Sequence, residues 1–271
     1  MTLHVRDRLL PIRSRGPQDG RPVILLHGFL ADSRQWDALT DAVDSRIDVP
    51  IRWLLPDLPG HGAATTTFPN TPGWPHLNDL LMRSLQPHLR GPALLAGYSM
   101  GGRIAASLAA SGLLNLRGLW LESAHPPLPE PAQAQRRAED EAHAVQLETA
   151  GLSAFVRAWE ALPLFASQHT LDPAILASQR ALRLSQDPHG LAQNLRWYGT
   201  GTMPTTLALH LPTHGVAGAL DAKLLGRLPE WRAFALNCAW TILANAGHAT
   251  HLEQLDATAT DLAATIERAF S

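Results

Sequence analysis

An α/β architecture is what the sequence predicts: a mostly parallel sheet flanked by helices, with a helical segment inserted late in the sheet. Three observations predict it. Short apolar runs bounded by Gly, Pro or charged residues alternate with stretches of helical spacing, the rhythm of β-α-β units. The runs are continuous rather than alternating, as in strands buried on both faces. A proline-punctuated, helix-forming stretch from about 126 to 202 interrupts the rhythm without offering a strand.

In chain order, Val23-Ile24-Leu25-Leu26 is the first predicted strand and runs into His27-Gly28-Phe29; a helical pattern at 36–43 follows. Trp53-Leu54-Leu55 is the second strand, and Pro56-Asp57-Leu58-Pro59-Gly60-His61-Gly62 after it reads as a structural loop, its prolines and glycines suiting turns. Asp57 and His61 are therefore left out of the chemistry. Helical spacing at 77–89 precedes the strand Ala93-Leu94-Leu95-Ala96, and Leu119-Trp120-Leu121 is the next. Residues 213–217 and 240–244 read as two more strands, and 252–270 as an amphipathic, Ala-rich closing helix. Residues 1–125 and 203–271 thus make one core and 126–202 a helical lid, because an insertion after a strand's carboxyl end lies over the place where α/β sheets bind ligands.

Composition bounds the function. A chain of 271 residues with 45% hydrophobic and 17% charged residues suits one globular α/β domain with an insertion. Its 22 basic and 24 acidic residues leave a net charge of −2, with no footprint for nucleic acid or an anionic membrane. Any bound anion must be held locally. The single cysteine, Cys238, excludes an internal disulfide framework, and a reducing cytoplasm is expected. The first twenty residues mix apolar and charged positions, among them Arg6, Asp7, Arg8, Arg13 and Arg15, unlike a secretory leader. The strongest apolar run falls far short of the roughly 20 residues that span a bilayer.

Gly97-Tyr98-Ser99-Met100-Gly101 follows an apolar strand and precedes the helix-forming Gly102-Arg103-Ile104-Ala105-Ala106. A GxSxG run in that context is a nucleophile elbow, with Gly97 and Gly101 permitting the sharp turn that exposes Ser99. This points to the α/β-hydrolase fold. A reactive serine needs a histidine as base, and the histidine an acid to fix its tautomer. His248, in Asn245-Ala246-Gly247-His248, and Asp221, in Gly218-Ala219-Leu220-Asp221, each follow a predicted strand, in the order Ser, Asp, His that this fold uses. Asp221 also suits the N-cap of a helix starting Ala222-Lys223-Leu224. Backbone N–H groups of Phe29 and Met100 are the expected oxyanion donors. His248 and His251 are three apart, but no HExxH or acidic cluster supplies further metal ligands, and no nucleotide-binding loop is present.

Arg103 falls in the first turn of the elbow helix, where a cation opposes the helix dipole. Either a buried acid or an anionic substrate held by the guanidinium must compensate. Position alone favours neither.

The combination of Gly97-Tyr98-Ser99-Met100-Gly101-Gly102-Arg103, His125-Pro126, Arg136 with Asp140, Trp159, Pro163-Leu164-Phe165-Ala166 and Gly199-Thr200-Gly201 resembles the 2-succinyl-6-hydroxy-2,4-cyclohexadiene-1-carboxylate synthases of menaquinone biosynthesis, from His27 to the closing helix. The resemblance implies a lyase needing no metal or organic cofactor. Ser99, activated by His248 and Asp221, would remove a proton from a cyclohexene substrate and trigger loss of pyruvate. It also implies that Arg103, Arg136 and Arg183 bind a small substrate with three carboxylates, and that Tyr98, Trp159 and Phe165 line its pocket. Taken without it, Arg136 is an i,i+4 partner of Asp140, Arg183 an exposed helix residue, and Trp159 with Phe165 lid core. Ser123-Ala124-His125-Pro126-Pro127 and Ala219-Leu220 depart from the family's more glycine-rich and more polar patterns. Two other readings stand beside the lyase: a serine hydrolase of small esters or of carbon–carbon bonds, and a catalytically silent binding protein on the same fold.

Overall fold

The computed structural model describes residues 8–235 and 237–271; Arg6 and Asp7 lie outside them. Among the described residues seven strands form one sheet in the order β1-β3-β2-β4-β5-β6-β7. They are β1 (Ile12–Arg15), β2 (Arg21–Leu26), β3 (Ile51–Pro56), β4 (Ala93–Tyr98), β5 (Leu116–Glu122), β6 (Thr213–Gly218) and β7 (Cys238–Leu243). All pairings are parallel except β1 with β3. The carboxyl ends of β2 to β7 therefore share one edge, where loops can assemble a site.

Burial explains the continuous apolar runs. Val23 and Leu25 of β2 pack with Trp53, Leu55, Trp120 and the helices α1 (Asp37–Asp44) and α10 (Leu255–Phe270). Ile24 and Leu26 face the opposite side, with Leu54, Leu95, Leu119 and the helices α2 (Trp74–Leu85) and α3 (Met100–Ser111). Each such fully buried side chain contributes about 1.5–3 kcal/mol, so neither face of the strand can turn polar.

Between β5 and β6 lie α4 (Glu130–Ala150), α5 (Leu152–Glu160), α6 (Pro173–Leu184) and α7 (Pro188–Tyr198), with no strand among the described residues. Asp172 and Asp187 cap α6 and α7, accepting from Ala174 N and Gly190 N, with proline at the first helical position. These helices bury a core of their own around Ala144, Leu147, Phe155, Val156 and Leu191, which Leu30 from the loop after β2 enters. The remaining short helices α8 (Ala222–Leu225) and α9 (Thr250–Glu253) follow β6 and β7.

Several boundaries differ from expectation. The charged stretch near the amino terminus includes β1, an edge strand that the sequence did not signal. Arg13 ties it to Asp37 of α1 at 2.6 Å, and Arg15 pairs with Asp41, placing charge along an edge that would otherwise invite pairing. The helix expected at 77–89 begins at Trp74 and ends at Leu85, before a 3-10 turn containing Pro87. β7 starts at Cys238, two residues early. The closing helix is broken at Gln254, whose backbone leaves the helical region (φ −143°, ψ 61°).

Candidate active site

Ser99 sits between β4 and α3 with φ 50° and ψ −109°, a conformation that costs a non-glycine residue about 1–3 kcal/mol and persists only when its surroundings enforce it. Its amide donates to the Glu122 carbonyl at 2.8 Å. The flanking glycines serve a purpose other than the one expected. Neither Gly97 nor Gly101 has positive φ. A Cβ on Gly101 would lie 2.0 Å from the Leu26 carbonyl oxygen, and one on Gly97 2.5 Å from the backbone of Gly101. They are small because the elbow helix presses against β2 and against its own strand, while the strained dihedral falls on the serine.

His248 Nε2 lies 3.0 Å from Ser99 Oγ, and His248 Nδ1 lies 2.6 Å from Asp221 Oδ2. Because a carboxylate only accepts, Nδ1 carries the proton and Nε2 is left to take one from the serine. Asp221 also accepts from Leu224 N through Oδ1 at 3.1 Å, so it caps α8 as well as orienting the histidine. Burial alone would push this carboxyl up, but the hydrogen bond and charge of His248 and the Leu224 amide outweigh it and hold it below the ordinary carboxylate range.

Ser99 and His248 open into a cavity of about 710 Å³. The sequence-predicted Phe29, Tyr98, Met100, Arg103, Arg136, Trp159, Phe165, Arg183 and Asp221 all line the same cavity. Met100 is the first residue of α3, so its N–H belongs to the unpaired donors of a helix start. Trp159 lies 5.3 Å from the Phe29 ring and 5.9 Å from Phe165, which meets His248 edge-on at 6.2 Å. This aromatic wall joins the helical segment to the core over the triad.

The three arginines differ in their partners. Arg103 is buried, 8% exposed, and among the described residues no carboxylate lies within 4.0 Å of it. Its Nε has no hydrogen-bond partner among them. Burial, and then the neighbouring charge of Arg136, push its guanidinium down to about 10. The acid that acts on Arg103 is Asp140, which is paired with Arg136 and raises the Arg103 guanidinium by less than burial and Arg136 lower it. Arg136 donates from Nε to Asp140 at 2.8 Å, the expected i,i+4 pair, yet faces the cavity; Asp140 is buried and also accepts from Gly201 N at 3.3 Å. Arg183 is neither exposed nor free. It pairs with Glu160 at 3.0 Å, sharing that carboxylate with Arg180, and lies 5.7 Å from the Phe165 ring centre.

Sequence reasoning missed Glu160, which pairs with Arg183, the buried Glu122, and Gln35 and His143 on the cavity wall, and it gave His125, also on that wall, only as part of the resemblance. It considered His251 only as a metal ligand; among the described residues no group of three His, Cys, Asp or Glu side chains could hold a metal ion. Glu122 had left one signal, a carboxylate ending an apolar strand. His125 is pushed down to about 3, by burial first and then by His248 and Arg103, so it is neutral at physiological pH and adds no cation to the cavity.

Residues 23–261 match the model of the alpha/beta hydrolase family. Over 250 residues, 87% of this chain and 90% of the relative, the chain is 32% identical to the 2-succinyl-6-hydroxy-2,4-cyclohexadiene-1-carboxylate synthase of Salmonella agona (strain SL483). A solved structure of MenH from S. aureus superposes with a TM-score of 0.88 at 32% identity, covering 96% of this chain and 99% of that one. A thermophilic esterase from Thermogutta terrifontis, 24% identical, superposes with a TM-score of 0.77 over 96% of this chain and 94% of its own, a likeness of fold alone.

Proposed function

The chain belongs to the alpha/beta hydrolase family and, within it, to the 2-succinyl-6-hydroxy-2,4-cyclohexadiene-1-carboxylate synthases, and from that premise we propose that it eliminates pyruvate from 2-succinyl-5-enolpyruvyl-6-hydroxy-3-cyclohexene-1-carboxylate in menaquinone biosynthesis. The substrate's succinyl carbonyl makes the neighbouring ring C–H acidic. Ser99 Oγ, deprotonated towards His248, takes that proton, and the electron pair becomes an enolate whose oxygen faces the N–H groups of Phe29 and Met100. The enolate then pushes through the ring alkene and breaks the C–O bond to the enolpyruvyl group, which leaves and takes up a proton as pyruvate. The ring retains two conjugated double bonds, and no redox partner or metal enters the balance.

The observation that carries this reading is Arg103. A buried guanidinium without a carboxylate beside it is a standing cost that an anionic substrate relieves. Arg136 and Arg183 on the helical segment supply further positive charge on the same cavity, matching a substrate with three carboxylates. The segment 126–202 acts as a lid that carries these contacts to Ser99. The chain's single cysteine, Cys238, supports a cytoplasmic setting, and no described helix is long and apolar enough to cross a membrane.

The test is pyruvate release by the purified protein from that substrate, with Ser99→Ala and a series of simple esters as controls. Pyruvate release should depend on Ser99 by at least about 10³-fold. Rapid ester cleavage with pyruvate appearing no faster than in buffer would instead identify a hydrolase, and retained ligand binding without turnover a binding protein.

A further inference from the structure

We propose that Glu122, His251 and Gln35 form a buried positioning relay that sets the oxyanion loop and the histidine loop against the nucleophile elbow. It rests on the roles given above to Ser99, His248 and the Phe29 amide.

Glu122, fully buried at the end of β5, touches two segments directly, the elbow and the chain after His248, and reaches a third, the oxyanion loop, through His251 and Gln35. Its main-chain oxygen holds Ser99 N at 2.8 Å. Its side-chain Oε1 accepts from Thr250 Oγ1 at 2.8 Å, from His251 N at 2.9 Å and from His251 Nδ1 at 2.8 Å, clasping the chain just beyond His248. From the far side of the His251 ring, Nε2 lies 3.0 Å from Gln35 Nε2, and Gln35 Oε1 accepts from Gly28 N at 3.0 Å. Gly28 precedes Phe29, the second oxyanion donor.

Every atom in this relay has one possible role. Gly28 N can only donate, so the Gln35 oxygen faces it and the amide nitrogen must face His251. That nitrogen only donates, so His251 Nε2 accepts and Nδ1 carries the proton towards Glu122. Reversing either the amide or the imidazole would oppose two donors. Tyr98 wedges between the two histidines, 4.8 Å from His251 and 5.4 Å from His248 by ring centres, and Trp36 closes the remaining side of His251 at 5.4 Å. A Cβ on Gly28 would strike the Tyr98 ring at 2.6 Å, so the oxyanion loop has no slack against this stack.

The relay is a poor way to stabilise a fold. A buried carboxylate is costly even when bonded, and Oε2 of Glu122 has no hydrogen-bond partner among the described residues; an apolar side chain would serve stability better. What the carboxylate supplies is direction. Three bonds accepted by one side-chain oxygen, with one more by its own main chain, hold the serine and histidine loops in register, Gln35 extends that register to the oxyanion loop, and a misplacement of about 1 Å at such a site costs on the order of 10²-fold in rate.

Gln35→Ala cuts the relay at its oxyanion end. Pyruvate elimination is expected to lose about 10- to 100-fold in kcat, with KM held within about twofold and melting lowered by a few degrees as Gly28 N and His251 Nε2 lose their partner. Glu122→Gln keeps the acceptor oxygen and should hold kcat within about threefold of wild type, whereas Glu122→Ala should lose at least about tenfold. Long-range proton–nitrogen NMR of the wild-type chain, with His251 assigned by its loss in His251→Phe, should show the proton on Nδ1 and a bare Nε2. Wild-type kcat in Gln35→Ala, equal losses in Glu122→Gln and Glu122→Ala, or a resting proton on Nε2 would each overturn the relay. If wild type releases no pyruvate, the lyase reading fails alone: the same ranking of variants on phenyl acetate, and the NMR tautomer in any case, still decide the relay.

Discussion

Arg103→Met separates a substrate clamp from a structural arginine, because the two predict opposite signs for stability. In the free protein the guanidinium is 8% exposed and, among the described residues, has no carboxylate within 4.0 Å, the more distant Asp140 offsetting only part of the cost of burial. Being pushed down to about 10 corresponds to roughly 3 kcal/mol of charge destabilisation, at about 1.4 kcal/mol per decade. At neutral pH the group is protonated in both the folded and the unfolded chain, so the whole cost is present. Its place in the first turn of α3 adds an unfavourable interaction with the helix dipole of about 0.3–1 kcal/mol. Methionine keeps most of the alkyl packing and removes the charge, so the variant should be more stable by about 1–2 kcal/mol, raising the melting temperature by about 2–6 °C for a chain of this size. Activity should move the other way. Removing one partner of a desolvated, hydrogen-bonded charge pair costs about 2–5 kcal/mol, or roughly 30- to several-thousand-fold in kcat/KM on the tricarboxylate substrate. A neutral ester should show less than about a threefold change. Thermal melts of the ligand-free protein and steady-state pyruvate release measure both quantities. A variant that melts lower and retains kcat/KM within about threefold refutes the clamp and assigns Arg103 a structural role.

Two further variants follow from the same geometry. Asp140→Asn weakens the hold on Arg136 Nε and on Gly201 N and leaves the cavity more positive; KM for the anionic substrate should change by about threefold or more while Tm falls by a few degrees, and an unchanged KM beside a lowered Tm would confine Asp140 to structure. Asp221 has its folded-state carboxyl held below the ordinary range, so its contribution to stability is present above the unfolded-state value near about 4 and is lost as pH falls through the folded one. Asp221→Asn should therefore melt lower than wild type at pH 7, with the gap narrowing below about pH 4. A gap that does not change between pH 7 and pH 3 would show that Asp221 gains nothing from its charge.

The sequence by itself determined the fold class and the order of the reactive groups. Strands buried on both faces, such as β4, must be continuously apolar, and Ser99 sits just beyond the carboxyl end of that strand; Asp221 and His248 follow β6 and the half-exposed edge strand β7, so their order along the chain was legible in local pattern. The resemblance drawn from the elbow and the lid motifs likewise reached the family that the relatives and the S. aureus structure share with this chain. What was not legible lies in pairings across the chain. The edge strand β1 is set by its partner β3 and by ion pairs to α1, not by its own pattern. The link from Gln35 to His251 spans 216 residues, beyond the reach of any periodicity. That Arg183 leans on Glu160 while Arg103 leans on no carboxylate is decided only when every neighbour is in place. A charge's partner is a property of packing, and a missing partner leaves no mark in a one-dimensional pattern; only the tertiary structure shows that Arg103 is buried in the cavity wall with no carboxylate within 4.0 Å among the described residues.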